Sequence, residues 1–225
     1  MKLTFHGGAK RVTGSNYLLE IGGTKILVDC GLNQGSRVCE KENYEQFPYD
    51  ASKIDVVFVT HSHIDHIGRV PKLYKAGFRG KVFSTPPSKE FALELLLDFQ
   101  DILTREARQL RREPIYKEED VRGVMGLWST VDYNEEVVFK NIKATFYNAG
   151  HILGSSSVMI EAEGKRIIFS GDLGNVPAPL VRSYDTIEVA DYAVIESTYG
   201  GRIHEDKLAR RAMLEDILED TIKKG

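Results

Sequence analysis

The sequence predicts an α+β fold in which two β-sheets pack together with helices outside. Strand patterns fill the first part of the chain and return after residue 131, and a helical pattern follows each strand-rich part. The chain has 225 residues, of which 42% are hydrophobic, so it is long enough to bury one large core. Together these observations indicate one large layered domain, or such a domain plus a fragment of another.

The strands are predicted from apolar alternation, β-branched runs and glycine turns. The first strand includes Leu3 to Phe5, and the stretches 16–21 and 25–29 flank Gly22-Gly23, which is a hairpin signal. The run 54–60 (IDVVFVT) is typical of a buried strand. Further strands are predicted at 81–84, 136–139, 143–147, 157–162, 166–170 and 192–195, with Glu163-Gly164 as the turn between 157–162 and 166–170.

The helices are predicted from apolar residues that recur every three or four positions. A short helix is expected at 70–75, and a long amphipathic helix at 88–112. A second helix is expected at 117–128 and a charged one at 205–224. Arg105, Arg108, Arg111 and Arg112 crowd the end of the long helix, where a solvated charged face that also suits the helix dipole is the favoured interpretation.

Composition limits the classes of function. The net charge is −3, so a nucleic-acid substrate would need local positive charge or metal ions. Cys30 and Cys39 are too few for a disulfide framework, and a reduced, cytoplasmic setting is expected. No signal peptide is visible after Met1, and no apolar run reaches the length of a membrane span.

The strongest chemical signal is the stretch His61-Ser62-His63-Ile64-Asp65-His66, directly after the buried strand. Imidazole nitrogens and carboxylate oxygens are the ligands that zinc takes from proteins. A tight loop can turn His61 and His63 one way, and Asp65 and His66 another, which suits two metals rather than one. The alternative is a polar loop that caps the next helix, and so dense a cluster is rare without a metal.

Two more candidate ligands follow predicted strands. His151 comes after the strand 143–147, and Asp172 comes after the strand 166–170. Each alone is more often an ordinary loop or turn residue. With the first cluster, however, they indicate ligands gathered at one sheet edge, with Gly150 and Gly171 letting the backbone approach the metals.

The order of these motifs resembles the metallo-β-lactamase superfamily. The resemblance implies an αββα sandwich of two mixed sheets and a binuclear zinc centre. It implies that Asp29, which ends a strand in Val28-Asp29-Cys30-Gly31, orients the metal loop. By the resemblance, one zinc is held by His61, His63 and His151. The other is held by Asp65 and His66, with Asp172 bridging.

A narrower resemblance is to the β-CASP branch, which includes RNA-processing nucleases of the polyadenylation-factor type. It rests on the stretch 196–200 (ESTYG), with Arg202 and His204 beyond it, and on the opening motifs Gly7-Gly8-Ala9 and Val12-Thr13-Gly14-Ser15. Glu196 corresponds to the first motif of the added cap domain and would position a downstream histidine. The division expected is a metallo-β-lactamase domain at 1–200 and the start of a truncated cap domain at 201–225.

These resemblances imply a zinc-dependent phosphodiesterase that cleaves RNA, as an endonuclease, a 5′-exonuclease or both, by attack of a metal-bridged hydroxide. Asp65 is expected both to bind metal and to orient the nucleophile. In the family, the last metal-binding histidine lies far downstream, so the chain is expected to be incomplete at its C-terminus and weakly active or inactive alone. RNA is the expected partner and no membrane is expected, while homodimerisation is left open. The alternatives are a DNA nuclease of the same branch, a glyoxalase-like hydrolase of a small ester or thioester, and a non-catalytic scaffold.

Overall fold

A computed structural model describes residues 1–35, 37–176, 180–187, 189–203 and 207–224. Two sheets form the centre of this part of the chain. The first has, in spatial order, β1 (Lys2–Gly7), β2 (Asn16–Ile21), β3 (Thr24–Val28), β4 (Val56–Phe58), β5 (Lys81–Ser84) and β6 (Trp128–Thr130). The strands β1 to β3 are antiparallel and β3 to β6 are parallel, so this sheet is mixed.

The second sheet is also mixed. Its strands are β7 (Glu136–Phe139), β8 (Ile142–Asn148), β9 (Ser156–Ala162), β10 (Lys165–Phe169) and β11 (Tyr192–Val194), in the spatial order β11-β10-β9-β8-β7. The strands β7 to β10 are antiparallel, whereas β11 runs parallel to β10. The carboxyl ends of β8, β10 and β11 therefore lie at the same edge of this sheet.

The helices are α1 (Arg37–Glu42), α2 (Ile64–Ile67), α3 (Val70–Lys75), α4 (Pro86–Gln109), α5 (Glu118–Met125) and α6 (Lys207–Lys224), with one 3₁₀ turn at Ala51–Lys53. The buried residues Leu73, Leu96 and Val121 bring α3, α4 and α5 against the first sheet. From residue 211 to 224, every side chain of α6 is exposed. Among the described residues, no helix is long and apolar enough to cross a bilayer.

Two apolar layers hold the domain together. Because side chains alternate along a strand, Val57 of β4 faces the helices while Val56 and Phe58 face the second sheet. Between the sheets, Phe58 packs edge-on against Phe146 of β8, with ring centroids 6.0 Å apart. The predicted α+β sandwich of two packed mixed sheets with helices is confirmed.

Both predicted glycine turns are present. Gly22 and Gly23 have φ of 53° and 81°, and Glu163 and Gly164 have φ of 52° and 69°. Two consecutive residues with positive φ form the type I′ turn, whose twist matches that of the strands it joins. These turns fix the register of the β2–β3 and β9–β10 hairpins.

The predicted helix 117–128 is wrong at its end. The helix stops at Met125, Gly126 follows as its C-cap, and Trp128 begins the edge strand β6. Trp128 is 3% exposed, and its indole N–H donates a hydrogen bond of 2.8 Å to the Ser84 hydroxyl of β5. Burial and this bond favour pairing with β5 over another helical turn. The buried strand predicted at 54–60 is also shorter, since β4 spans Val56–Phe58.

Candidate metal centre

Three imidazole rings converge where β4 and β8 end. Nε2 of His61 lies 3.1 Å from Nδ1 of His63, and Nε2 of His151 lies 3.2 Å from the same atom. Ligands of a tetrahedral ion with bonds of about 2.0–2.1 Å are separated by roughly 3.3–3.4 Å. The His63 nitrogen therefore lies from each of the other two at nearly the spacing of ligands around one small cation.

Asp172 connects this trio to a second group of side chains. Its Oδ2 lies 3.7 Å from Nε2 of both His61 and His151, and its Oδ1 lies 3.2 Å from Nε2 of His66. Nε2 of His66 also lies 3.9 Å from Oδ2 of Asp65. His61, His63, His151 and Asp172 each offer one ligand atom, and these atoms lie within 4.8 Å of one another. The cluster is a divalent-metal site by its donor set.

The six predicted ligands are thus brought together, but not by one sheet edge as predicted. The loop of residues 61–66 follows β4 of the first sheet, whereas His151 and Asp172 follow β8 and β10 of the second. The cluster therefore lies between the two sheets, at the edge where all these strands end. His6 packs against Tyr49 instead, with ring centroids 5.1 Å apart. His204 lies outside the described residues.

Asp29 is a buried residue that contacts the cluster through His66. The residue is 1% exposed and has φ of 57°, an unusual backbone conformation for a residue other than glycine. Its carboxylate accepts hydrogen bonds of 2.8 Å from the backbone N–H and the hydroxyl of Thr60. Its Oδ2 also lies 2.7 Å from Nδ1 of His66. With Nδ1–H donated to Asp29, Nε2 of His66 is left facing Asp172.

Sequence reasoning missed Thr60, although its position was a usable signal. It is the last residue before His61 and follows an unbroken apolar run. Its hydroxyl donates to Asp29 and lies 3.1 Å from Nδ1 of His61. Thr60 thus connects the carboxylate of Asp29 to two of the histidines.

The loop that carries Asp65 packs closely against the backbone of Ser15 and Gly31. Asp65 O accepts a hydrogen bond of 2.9 Å from Ser15 N, and Gly31 N donates one of 2.8 Å to Ser15 O. A Cβ on Gly31 would lie 1.5 Å from Asp65 O, so only glycine fits. Gly171 has a similar role, because its Cβ would lie 2.8 Å from Cβ of Thr60. These glycines let protein segments approach one another beside the site.

The protonation of the cluster follows from burial and from the two carboxylates. Burial lowers the pKa of His61 well below its usual range, and the neighbouring histidines add to this effect, so its imidazole is neutral and able to bind a cation. Burial also acts to lower the pKa of His66. Asp29 and Asp172 outweigh it, and the pKa rises to about 10. Without a metal, the His66 imidazole is therefore protonated, and its positive charge is stabilised by the carboxylates of Asp29 and Asp172.

Glu196 borders the same site from the end of β11. Its Oε1 accepts a hydrogen bond of 3.0 Å from Leu173 N, the residue after Asp172, and its Oε2 accepts one of 3.3 Å from Thr198 N. Its own N–H donates to the Ser170 hydroxyl at 3.0 Å. A cleft of about 490 Å³ lies beside the cluster, lined by Asp172 and Glu196 among others.

The comparison with known families agrees with this geometry. Residues 9–200 match the family model described as the metallo-beta-lactamase superfamily, which spans most of the chain and all six clustered side chains. The chain belongs to the metallo-β-lactamase superfamily. The fold is shared with a solved protein of unknown function from Enterococcus faecalis V583, at a TM-score of 0.53 and 17% identity, covering 76% of this chain and 43% of that one.

Several curated relatives of this chain are named as nucleases. Ribonuclease TTHA0252 of Thermus thermophilus is 35% identical over 225 residues, which is 100% of this chain and 50% of that protein. The RNase J-like protein of Methanocaldococcus jannaschii is 34% identical over 99% of this chain and 49% of its own length. Endoribonuclease YSH1 of Saccharomyces cerevisiae is 29% identical over 97% of this chain and 29% of its own. The chain thus spans about half the length, or less, of these relatives, whose names agree with the predicted RNA-nuclease branch.

Proposed function

We propose that this chain carries the metal centre of a ribonuclease that hydrolyses RNA phosphodiester bonds with two zinc ions. The observation that carries the proposal is the convergence of three imidazoles and one carboxylate, whose ligand atoms lie within 4.8 Å of one another. The relatives named as ribonucleases support RNA as the substrate.

The proposed ligand sets follow the distances. His61, His63 and His151 would hold one zinc, because the His63 nitrogen lies at nearly tetrahedral ligand spacing from the nitrogens of the other two. Asp65 and His66 would hold the second. Asp172 would serve as a ligand at both sites, since one of its oxygens lies nearest His61 and His151 and the other lies nearest His66.

Zinc ions in such a pair supply a hydrolytic nucleophile at neutral pH and neutralise charge on the phosphodiester. The residues of the chain set the geometry for that chemistry. Asp29 holds His66 in the tautomer that leaves Nε2 free, and Thr60 holds Asp29. Asp65, which would hold metal beside His66, would also be able to accept a hydrogen bond from the water and orient it. His66 and Asp172 of the cluster line the cleft, so a substrate can reach the cluster from there.

Glu196 is proposed as a positioning residue. By accepting the Leu173 and Thr198 N–H groups, it fixes the segment on which Asp172 stands. Asp172 would have to reach the ligands of both sites, so a small displacement of its backbone would take one of its oxygens away from His66 or from His61 and His151. The domain boundary near residue 200 and the role of Glu196 toward a downstream histidine stay predictions.

The experiment is zinc analysis followed by cleavage assays on the same preparation, purified without chelator. We expect close to two zinc ions per chain and weak, zinc-dependent cleavage of single-stranded RNA. Cleavage of DNA in preference to RNA would move the proposal to a DNA nuclease. Hydrolysis of a thioester without cleavage of either nucleic acid would favour the small-ester alternative. A chain that binds no zinc when the metal is supplied would contradict the metal centre itself.

A further inference from the structure

An RNA nuclease with a net charge of −3 needs positive charge close to its metal centre. The arginines near the end of α4 are badly placed for this. The helix begins beside the His151 loop, where the Thr85 hydroxyl donates a hydrogen bond of 2.6 Å to Gly154 O. Arg108 lies 22 positions after Pro86, which is about 33 Å along a helix. These arginines therefore lie far from the cluster.

The loop of residues 8–13, which joins β1 to β2, is better placed. Lys10 and Arg11 line the same cleft as His66 and Asp172. Lys10 is exposed and has φ of 59°, a region that residues other than glycine, asparagine and aspartate seldom occupy. Such a backbone persists where the surrounding structure fixes it, and it is more frequent at functional sites than elsewhere.

The loop is held at its base and on its flank. A Cβ on Gly7 would lie 1.8 Å from Gly14 O, so the two ends of the loop are in backbone contact. The Thr13 hydroxyl accepts a hydrogen bond of 2.9 Å from Gln34 N.

The flank of the loop is held by an ion pair. Arg11 forms a two-point pair with Glu42 of α1, in which Nη2 donates to Oε1 at 3.0 Å. Arg11 thus braces the loop, and Lys10 is presented at a fixed position beside the cleft.

We propose that Lys10 binds a backbone phosphate of the RNA strand next to the scissile bond, so that the loop of residues 8–13 is the phosphate-binding wall of the cleft. The inference rests on the proposed nuclease function. A phosphate contact carries no base information, so Lys10 adds affinity and register without sequence preference. The carboxylates Asp172 and Glu196 line the same cleft, and the Lys10 cation offsets their repulsion of the RNA strand.

The experiment measures binding and its salt dependence on the zinc-loaded chain. The probe is a fluorescent 12-nucleotide RNA with a phosphorothioate backbone, which keeps the charge and resists hydrolysis. We expect Lys10→Gln to weaken binding about threefold to tenfold and to lower the slope of log K against log salt by about 0.7, the value for one phosphate contact on a single strand. Lys10→Arg restores both. Lys53→Gln is the matched control, because Lys53 is exposed and precedes β4, at the end of the strand opposite the metal loop.

The outcomes separate this inference from the nuclease proposal. Unchanged affinity and slope in Lys10→Gln, with wild-type RNA cleavage intact, would overturn the phosphate contact and leave the ribonuclease standing. An equal loss in Lys53→Gln would also overturn it, because the effect would then follow net charge. A Lys10-dependent slope in a zinc-loaded chain that hydrolyses a thioester and cleaves neither nucleic acid would support the contact and remove the ribonuclease. A wild-type chain that binds no RNA at low salt would overturn both.

Discussion

The Asp29 carboxylate and the His66 imidazole, 37 residues apart in sequence, lie 2.7 Å apart in the folded chain. Asp29 is 1% exposed and His66 is 3% exposed, so water competes little for this contact. The pair joins the end of β3 to the loop after β4. It fixes which nitrogen of His66 faces Asp172, and several predictions depend on it.

Asp29→Asn should weaken zinc binding while leaving the fold intact. The amide is close in size to the carboxylate, but it lacks the charge that holds the Nδ1–H tautomer of His66. Loss of such a supporting partner typically lowers metal affinity about 10- to 100-fold. The measurement is a competitive titration with a chromophoric chelator. Asp55→Asn is the control, since Asp55 pairs with Lys140 before β4 begins, and the prediction fails if both variants lose the same affinity.

Zinc uptake at pH 8 should release more protons from the wild type than from Asp29→Asn. The raised pKa of His66, about 10, means that the metal-free wild type carries a proton there at pH 8, and zinc at Nε2 displaces it. Removing the Asp29 charge lowers this pKa. The expected difference is about one proton per chain, measured with an indicator dye in weak buffer. Equal release would show that His66 is neutral before the metal binds.

The same shift predicts a pH dependence of the metal-free fold. A histidine whose pKa is raised on folding stabilises the folded state below its ordinary pKa, and this contribution is lost as pH rises through the folded value. The share of stability that depends on Asp29 should therefore be present at pH 6 and decline toward pH 10. Urea unfolding of the chelator-treated wild type and of Asp29→Asn should converge at high pH. A gap that widens with pH would contradict this assignment.

His63→Ala should lower zinc content and abolish most metal-dependent hydrolysis. Nδ1 of His63 is the atom that lies 3.1 Å and 3.2 Å from its two neighbours, so its loss removes the centre of the trio. His6→Ala is the matched control, because His6 packs on Tyr49 away from the cluster. Elemental analysis and an RNA cleavage assay give the two readouts. Zinc content equal to the wild type in His63→Ala would remove this ligand assignment.

Two adjacent leucines of α4 should differ sharply in their contribution to stability. Leu96 is fully buried against the first sheet, whereas Leu95 is 39% exposed. Leu96→Ala should cost about 2–5 kcal/mol of unfolding free energy, the usual range for a buried leucine. Leu95→Ala should cost much less. Urea denaturation of both variants tests this, and similar midpoints would mean that α4 does not pack on the sheet as described.

Much of the site was predictable because metal ligands are chemically distinctive and lie beside strand ends. His61, His151 and Asp172 each follow an apolar run, and the structure brings them within ligand distance. What the sequence left open was which sheet each strand joins, because pairing between β4 and its neighbours is a long-range property. The ligands therefore come from two sheets, where one edge was expected.

The local errors arise because a short stretch of sequence does not show contacts with distant residues, and because the shortest helices have no visible periodicity. Trp128 continues the helical periodicity of α5, yet burial against β5 and the bond to Ser84 place it in a strand. The one-turn helix α2 and the short α1 contain too few residues for periodicity to be visible. Thr60 was not predicted as a site residue because its importance comes from Asp29, which is distant in sequence.

The origin of the ligands in both sheets has a consequence for biosynthesis. A nascent chain that has emerged only as far as β7 contains His61, His63, Asp65 and His66, but neither His151 nor Asp172. Such an intermediate offers an incoming ion an incomplete shell. Tight metal binding would therefore require that β8 to β10 have paired and packed against the first sheet. A bound ion would therefore be retained only by molecules in which both sheets have formed and packed together.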